Sequence, residues 1–183
     1  MELVRLSIAG LFETRSNAVH DQRGTFVKVF HDASFRAHGL KFQAVEQYYS
    51  LSRRSVIRGL HFQSPPYGHD KLVYCVFGRV FDAVVDLRLR SPTYGQYATF
   101  ELSPEHANAI FVPTGLAHGF YVQSEEAILV YSTTSEHQPT HDTGIRWDSA
   151  GIPWPTKEPI VSDRDSALPP LSEFQSPFQY DRQ

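Results

Sequence analysis

The sequence predicts an all-β domain, a sandwich or barrel, and three observations carry that reading. Short apolar runs recur at spacings of about 8–12 residues. Turn signals rich in Gly, Pro, Asp and Ser separate them, and no helical segments alternate with strands in the βαβ manner. Residues 80–87 show the strand period directly: Phe81, Ala83, Val85 and Leu87 share one face, and Val80, Asp82, Val84 and Asp86 the other.

Taken in order, residues 3–12 have strand-like apolar content and run into a polar stretch at 13–20. Asp21-Gln22-Arg23-Gly24 is a turn signal, and β-branched and aromatic residues follow over 25–30. Residues 32–38 read as one short helix with Asp32 as N-cap and Gly39 as stop. Strands are then expected at 42–51 and 56–62, with Arg53-Arg54 in a solvated turn between them. Ser64-Pro65-Pro66-Tyr67-Gly68 breaks the pairing, because proline lacks a ladder donor and glycine tolerates positive φ. Further strands follow at 72–77, 80–87, 96–102, 109–112, 119–122 and 127–133. Beyond Thr134 the chain is polar, and Pro153, Pro155, Pro159, Pro169 and Pro170 predict a segment that wraps the domain.

A chain of 183 residues is one domain, 1–183, by size, and long enough to bury a real core. Its net charge of −3 argues against general attraction to nucleic acid or membrane, so an anionic partner must be met by local Arg and Lys. Cys75 is the only cysteine, which rules out a disulfide within the chain and fits a reducing compartment. It reads as a small buried apolar residue. The N-terminus carries Glu2 and Arg5 without a sustained apolar run, so neither signal peptide nor membrane span is expected, and cytoplasm is the default.

Residues 58–86 hold two Arg, two His, one Lys and three Asp among strand-like apolar residues. These are the groups that move protons and hold phosphates. A strand histidine taken alone is more often a hydrogen-bonded structural residue. Here Gly59, His61 and Gln63 share a face, and Lys71 returns after the Pro/Gly turn in a hairpin-like arrangement. A Lys and a His turned into the mouth of a small barrel are expensive to bury unpaired, which favours a concave site over packing. Asp82 and Asp86 read as structural hydrogen-bonders beside it, either of which competes for His61. Tyr131 lies in an apolar run where a core tyrosine is ordinary, and residues 162–165 also look like a capped helix start.

Pro113-Thr114-Gly115-Leu116-Ala117-His118 has the P-x-G-x-x-H pattern and resembles the second motif of cupins, small jelly-roll barrels. In metal-binding cupins that His is a ligand and the first motif supplies an H-x-H pair. Here the matching segment reads His61-Phe62-Gln63, and a neutral amide is a poor transition-metal ligand. No metal is therefore expected, and a metal-dependent cupin isomerase or dioxygenase using His69 and His118 stands as the alternative. A non-catalytic sugar-nucleotide or glycan-binding jelly roll is a second.

A more specific resemblance runs over residues 21–171. Its markers are Asp21-x-Arg23-Gly24-x-Phe26, RGLHFQ at 58–63, Lys71-Leu72-Val73, GRVFDAVVDLR at 78–88, SPTYGQ at 91–96 and PTGLAHGF at 113–120. Tyr131, GIRW at 144–147, IPWP at 152–155 and Ser162-Asp163-Arg164-Asp165 complete it. In these the chain resembles the dTDP-4-dehydrorhamnose 3,5-epimerases, metal-independent cupins acting on nucleotide-linked 4-keto-6-deoxy sugars.

The resemblance implies a cofactor-free epimerase serving deoxysugar synthesis of the rhamnose type, for cell-surface polysaccharides. A C4 ketone acidifies the hydrogens on C3 and C5, and reprotonation of the enolate from the opposite face inverts the centre. His61 would be the base, and Asp165 would fix its tautomer. Tyr131 would be the acid on the other face, and Lys71 would hold the enolate oxygen. His118 would contact the sugar, while Arg58 and Arg23 would grip the diphosphate through their guanidinium forks. Phe26 would stack near the base. The resemblance further implies a homodimer in which residues 23–26 reach the neighbour's site.

The chain also departs from the family pattern. Lys28 stands where a Glu commonly contacts the base, and an ammonium has no acceptor for thymine N3–H. Glu46-Gln47-Tyr48 replaces a Gln-Asp-Asn or Gln-Met-Asn triplet, Asp142 a Glu, Arg164 a Lys, and Glu136-His137 a tyrosine pair. These changes fall on nucleotide-reading and sugar-lining positions, so Lys28, Gln47, Asp142 and Arg164 join the expected substrate-binding set. The proton-transfer set matches throughout. The resemblance leaves the base, and inversion at C3, C5 or both, open.

Overall fold

The computed structural model describes residues 1–180. In chain order its strands are β1 (Glu2–Arg5), β2 (Phe12–Arg15), β3 (Val19–Asp21), β4 (Gly24–Phe26), β5 (Glu46–Arg53), β6 (Ile57–Gln63), β7 (Lys71–Phe77), β8 (Val80–Asp86), β9 (Tyr97–Leu102), β10 (Asn108–Val112), β11 (Leu116–Val122), β12 (Glu126–Thr133) and β13 (Asp142–Gly144). Helices are short: α1 (Asp32–Ala37), α2 (Asp163–Ser166) and a single 3₁₀ turn at Leu171–Glu173. One antiparallel sheet has the order β1-β2-β10-β7-β12-β5, and a second has the order β13-β6-β11-β8-β9. Strands β3 and β4 form a separate two-stranded hairpin.

The two sheets face each other over one core. Val73 and Cys75 of β7, Ile110 and Val112 of β10 and Leu129 of β12 meet Val80 and Val84 of β8 and Phe120 and Val122 of β11. Alternation along each strand sends the intervening residues outward. On the five-stranded side these are Leu60, Phe62, Ala83, Val85 and Ala117, and they are buried as well. The Pro-rich segment covers them: Ile145, Ile152 and Phe178 complete that cluster, with Trp154, Leu171 and Phe174 against it. Both predicted faces of 80–87 are thus buried, one in the barrel and one under the wrap. On the other sheet α1 closes the outer face, where Phe35 packs with Phe12, Phe42 and Phe111.

Several local expectations are corrected. Residues 3–12 are two antiparallel strands rather than one, because the chain reverses at Ser7–Gly10, where Gly10 has φ +79°. Strand β2 then continues into 13–15, the start of the polar stretch. Asp32 is the first residue of α1 and does not cap it; the cap position is His31, and the Asp32 carboxylate pairs with Arg36 one turn on, at 2.8 Å. Residues 27–30 are not strand, and the strand expected at 42–51 begins only at Glu46. Lys71 does not return beside His61 in a hairpin: β6 and β7 belong to different sheets, and the Lys71 side chain reaches the His61 carbonyl across the barrel.

Candidate active site

The inward-facing row of several strands turns from apolar to polar at the same end of the barrel. On β7 it runs Cys75, Val73, Lys71; on β12, Leu129, Tyr131, Thr133; on β11, Phe120, then His118; on β6, Gly59, His61, Gln63. Where those polar ends converge there is a cavity of about 440 Å³, lined among others by Arg58, His61, Lys71, His118, Tyr131 and Asp142. Composition of single strands does not reveal it; the coincidence of their polar ends does.

His61 and His118 are direct cross-strand neighbours on β6 and β11, and each spends Nε2 on a buried carboxylate. His61 Nε2 lies 2.7 Å from Asp165 Oδ1. The second oxygen of Asp165 accepts the Gly59 amide at 3.2 Å. Burial pushes the Asp165 carboxyl up, but the hydrogen bond and charge of His61, the Gly59 amide and Arg164 together hold it below the usual carboxylate range. An ionised carboxylate only accepts, so His61 carries its proton on Nε2 and keeps the lone pair on Nδ1. The helix that delivers Asp165 is α2, capped by Ser162, whose Oγ accepts the Asp165 amide at 3.1 Å. The backbone of Asp165 serves the cap and its side chain serves His61, so both sequence readings of 162–165 hold together.

His118 Nε2 lies 2.8 Å from Asp82 Oδ2. Asp82 is fully buried; burial pushes its carboxyl up against the opposing pull of His118 and Lys71. Asp86 turns elsewhere and holds Arg88, Ser91 and Thr93. Neither competes with Asp165 for His61.

Opposite the two imidazoles stand Lys71 and Tyr131, from the other sheet. Lys71 donates from Nζ to the His61 carbonyl at 3.2 Å and has no carboxylate within ion-pair distance among the described residues. Burial takes its ammonium down to about 8, against the pull of Asp142 and Asp82. A desolvated cation with spare donors is a strong electrostatic partner for an oxyanion. The Tyr131 ring stacks on Tyr48, centroids 4.9 Å apart and 16° between planes, and meets His118 edge-on at 6.2 Å. Burial pushes the Tyr131 phenol well above its ordinary range, and the Tyr48 phenol to about 12.

The remaining expected residues divide into two groups. Arg58, held by Ser52 Oγ at 2.8 Å, Asp142 and Arg164 line the cavity, and Arg164 pairs with Asp142 at 2.9 Å. Gln47, Lys28, Arg23 and Phe26 do not line it. Gln47 is a correction: on β5 its neighbours Glu46, Tyr48 and Ser50 face the cavity, so alternation turns Gln47 outward, where it donates to Ser132 Oγ at 2.8 Å. Lys28 is exposed, with its carbonyl tied to Ser16. Arg23 pairs with Asp21 on the β3–β4 hairpin, and Phe26 there is 63% exposed.

Sequence reasoning left Glu46, Ser50, Thr133 and His137 out of the binding set, although all four line the cavity. The period-2 rule applied to 46–50 finds Glu46 and Ser50. Gln63, set in the place of a second metal-ligand histidine, is buried and ties down a loop through Tyr67 O, Glu136 O and His69 Nδ1. Burial and the Lys71 charge take His69 down to about 3, so it is a neutral hydrogen-bonding ring. Among the described residues no group of three or more His, Cys, Asp and Glu gathers as metal ligands.

A small antiparallel barrel whose cavity gathers a carboxylate-held imidazole, a phenol and a buried lysine is a cupin-type fold with a site suited to proton transfer. Comparison with known proteins agrees. The family model for dTDP-4-dehydrorhamnose 3,5-epimerase matches residues 5–173, and the chain belongs to that family. It is 39% identical over 179 residues to the dTDP-4-dehydrorhamnose 3,5-epimerase of Sinorhizobium fredii, covering 96% of this chain and 92% of that one. The 4-keto-6-deoxy sugar epimerase from the novobiocin cluster of Streptomyces spheroides superposes with a TM-score of 0.91 at 38% identity, over 94% of this chain and 88% of that one. The 3,5-epimerase of Legionella pneumophila, in complex with dTDP-4-keto-L-rhamnose, does so with 0.93 at 31%, over 99% of both.

Proposed function

We propose that this chain is a cofactor-free epimerase of a nucleotide-linked 4-keto-6-deoxyhexose, serving deoxysugar synthesis of the rhamnose type in the cytoplasm. The observation that carries the reading is that His61 of one sheet, held by Asp165 from α2, shares a cavity with Lys71 and Tyr131 of the other. His61 Nδ1 removes the proton next to the C4 ketone. Lys71 takes the charge that develops on the ketone oxygen, so the enolate forms against a fixed cation rather than in water. Tyr131 delivers a proton to the opposite face. Carbon is inverted with no change in redox state, so the chemistry needs no electron carrier. His118 contacts the sugar, and Arg58 and Arg164 at the cavity wall suit the diphosphate.

The working unit in this reading is a homodimer. Arg23 and Phe26 lie on an exposed hairpin outside their own cavity, which fits a role at a neighbour's. Among the described residues strand β5 is a free sheet edge, and Tyr49 on it is 71% exposed beside exposed Leu51. An unpaired edge with an apolar row suits pairing with a second copy.

Solvent-deuterium incorporation into 4-keto-6-deoxyglucose linked to dTDP, CDP, GDP or UDP tests the function. Label at C3, at C5 or at both names the reaction, and the preferred nucleotide shows what Lys28, Glu46 and Tyr48 select. Absence of exchange above background with every nucleotide, from folded protein, would end the epimerase reading. Stoichiometric bound iron or zinc with chelator-sensitive turnover would replace it by the metal-dependent one.

A further inference from the structure

Each inversion leaves the protein one proton short at Tyr131 and one proton over at His61. The His61 imidazole is partly open to the cavity mouth, so its extra proton has a way out. Tyr131 is buried inside the barrel, and among the described residues its hydroxyl has a single hydrogen-bond partner, Ser50 Oγ at 3.4 Å. Ser50 is half-buried on β5, the edge strand of its sheet, and lines the cavity. It touches the phenol hydroxyl and is itself partly open at the cavity.

Resting on the reading of Tyr131 as the acid, we infer that the Ser50 hydroxyl stabilises the Tyr131 phenolate and returns its proton after each inversion, while Tyr48 keeps the ring in line. The atoms balance. The Tyr131 O–H bond breaks as the new C–H bond forms, the Ser50 O–H proton passes to the phenolate oxygen, and water supplies Ser50. The hydroxide left behind is neutralised by the proton that His61 releases.

Burial opposes ionisation of Tyr131, as do the nearby Asp82 and Tyr48; the Ser50 hydrogen bond and the Arg58 guanidinium favour it. A buried phenolate without such partners is costly. The contact is long for two neutral hydroxyls, which prefer about 2.7–2.8 Å. Once the acceptor is charged, the usual separation shortens to about 2.5–2.7 Å, so the bond tightens when it is needed. The stacked Tyr48 and the edge-on His118 leave the Tyr131 ring little room to swing the hydroxyl away.

The test separates the two protons in heavy water. His61 removes a proton and either returns a deuteron to the same face, giving exchange with retention, or Tyr131 completes inversion. With Ser50→Ala, kcat for inversion should fall roughly tenfold or more, within the range of general acid catalysis. Exchange with retention should persist and KM should stay within about twofold. Ser50→Thr, which keeps the hydroxyl, should restore inversion. An unchanged kcat in Ser50→Ala, a parallel loss of exchange and inversion, or a rise in KM alone would overturn the inference while leaving the epimerase reading standing. Wild-type protein that neither exchanges nor inverts would instead overturn the epimerase reading itself.

Discussion

In the proposed mechanism Lys71 is a residue that trades stability for function. Its ammonium is buried with one hydrogen bond among the described residues, to the His61 carbonyl, and its pKa drops from 10.5 to about 8. The sign follows from which state binds more protons. Between about 8 and 10.5 the unfolded chain keeps the lysine charged while the folded one has released it, so stability rises with pH across that window. Below it, the buried charge costs on the order of 3 kcal/mol, at about 1.4 kcal/mol per unit. Lys71→Met should therefore abolish turnover yet raise the unfolding free energy near neutral pH by up to about that amount, as replacement of buried charge often does. The gap between variant and wild type should close from about pH 8 to 10.5, measured by denaturant unfolding at several pH values. A gap that stays constant would mean that Lys71 is not a buried cation. The wild-type turnover profile should show its alkaline limb in the same region, since neutral Lys71 holds an oxyanion poorly.

At the scale of elements, the site depends on how closely β6 and β11 cross. Gly59 has φ +138°, and a Cβ there would lie 2.5 Å from Gly119 Cα; a Cβ on Gly119 would lie 2.8 Å from the Arg58 carbonyl. The register between the strands shifts at this point, between His118 and Phe120. Two glycines face to face let the backbones approach, and the approach sets His61 and His118 side by side. Gly59 also donates its amide to Asp165. Gly59→Ala is expected to cost about 1–3 kcal/mol, the range for a strained backbone position. It should shift the denaturant midpoint without changing the slope and lower turnover, because the partner of Asp165 moves. An alanine variant with wild-type midpoint and turnover would show that the close crossing is not required.

The proposed dimer belongs to the whole molecule, and it can be tested by mixing. If each site takes His61 from one subunit and Arg23 from the other, His61→Asn and Arg23→Ala are each inactive alone. After co-refolding, a mixed dimer has one intact site and one doubly defective site. About a quarter of wild-type activity should then return, from half the dimers carrying half their sites. Two subunits that each complete their own site would give no recovery beyond the sum of the separate variants. Sedimentation of Tyr49→Glu, which places a charge on the free β5 edge, should show monomer where wild type shows dimer.

The strands and the ionisable cluster at 58–86 were legible in the sequence because they depend on local pattern: alternation, turn residues and motif spacing. Motif identity also named His61, Lys71 and Tyr131, which line one cavity, and Asp165, which is joined to it through His61. Tertiary structure alone decided the partnerships. Nothing local tells that Asp165 rather than Asp82 or Asp86 takes His61, that Asp82 takes His118, or that Lys71 meets His61 across two sheets rather than along a hairpin. Nor does the residue pattern show that Gln47 turns outward while Ser50 lies beside Tyr131, until the start of β5 fixes which positions alternate inward. Local pattern sets which face of a strand is apolar; long-range sheet pairing sets what that face meets, and the chemistry of this cavity lies in those meetings.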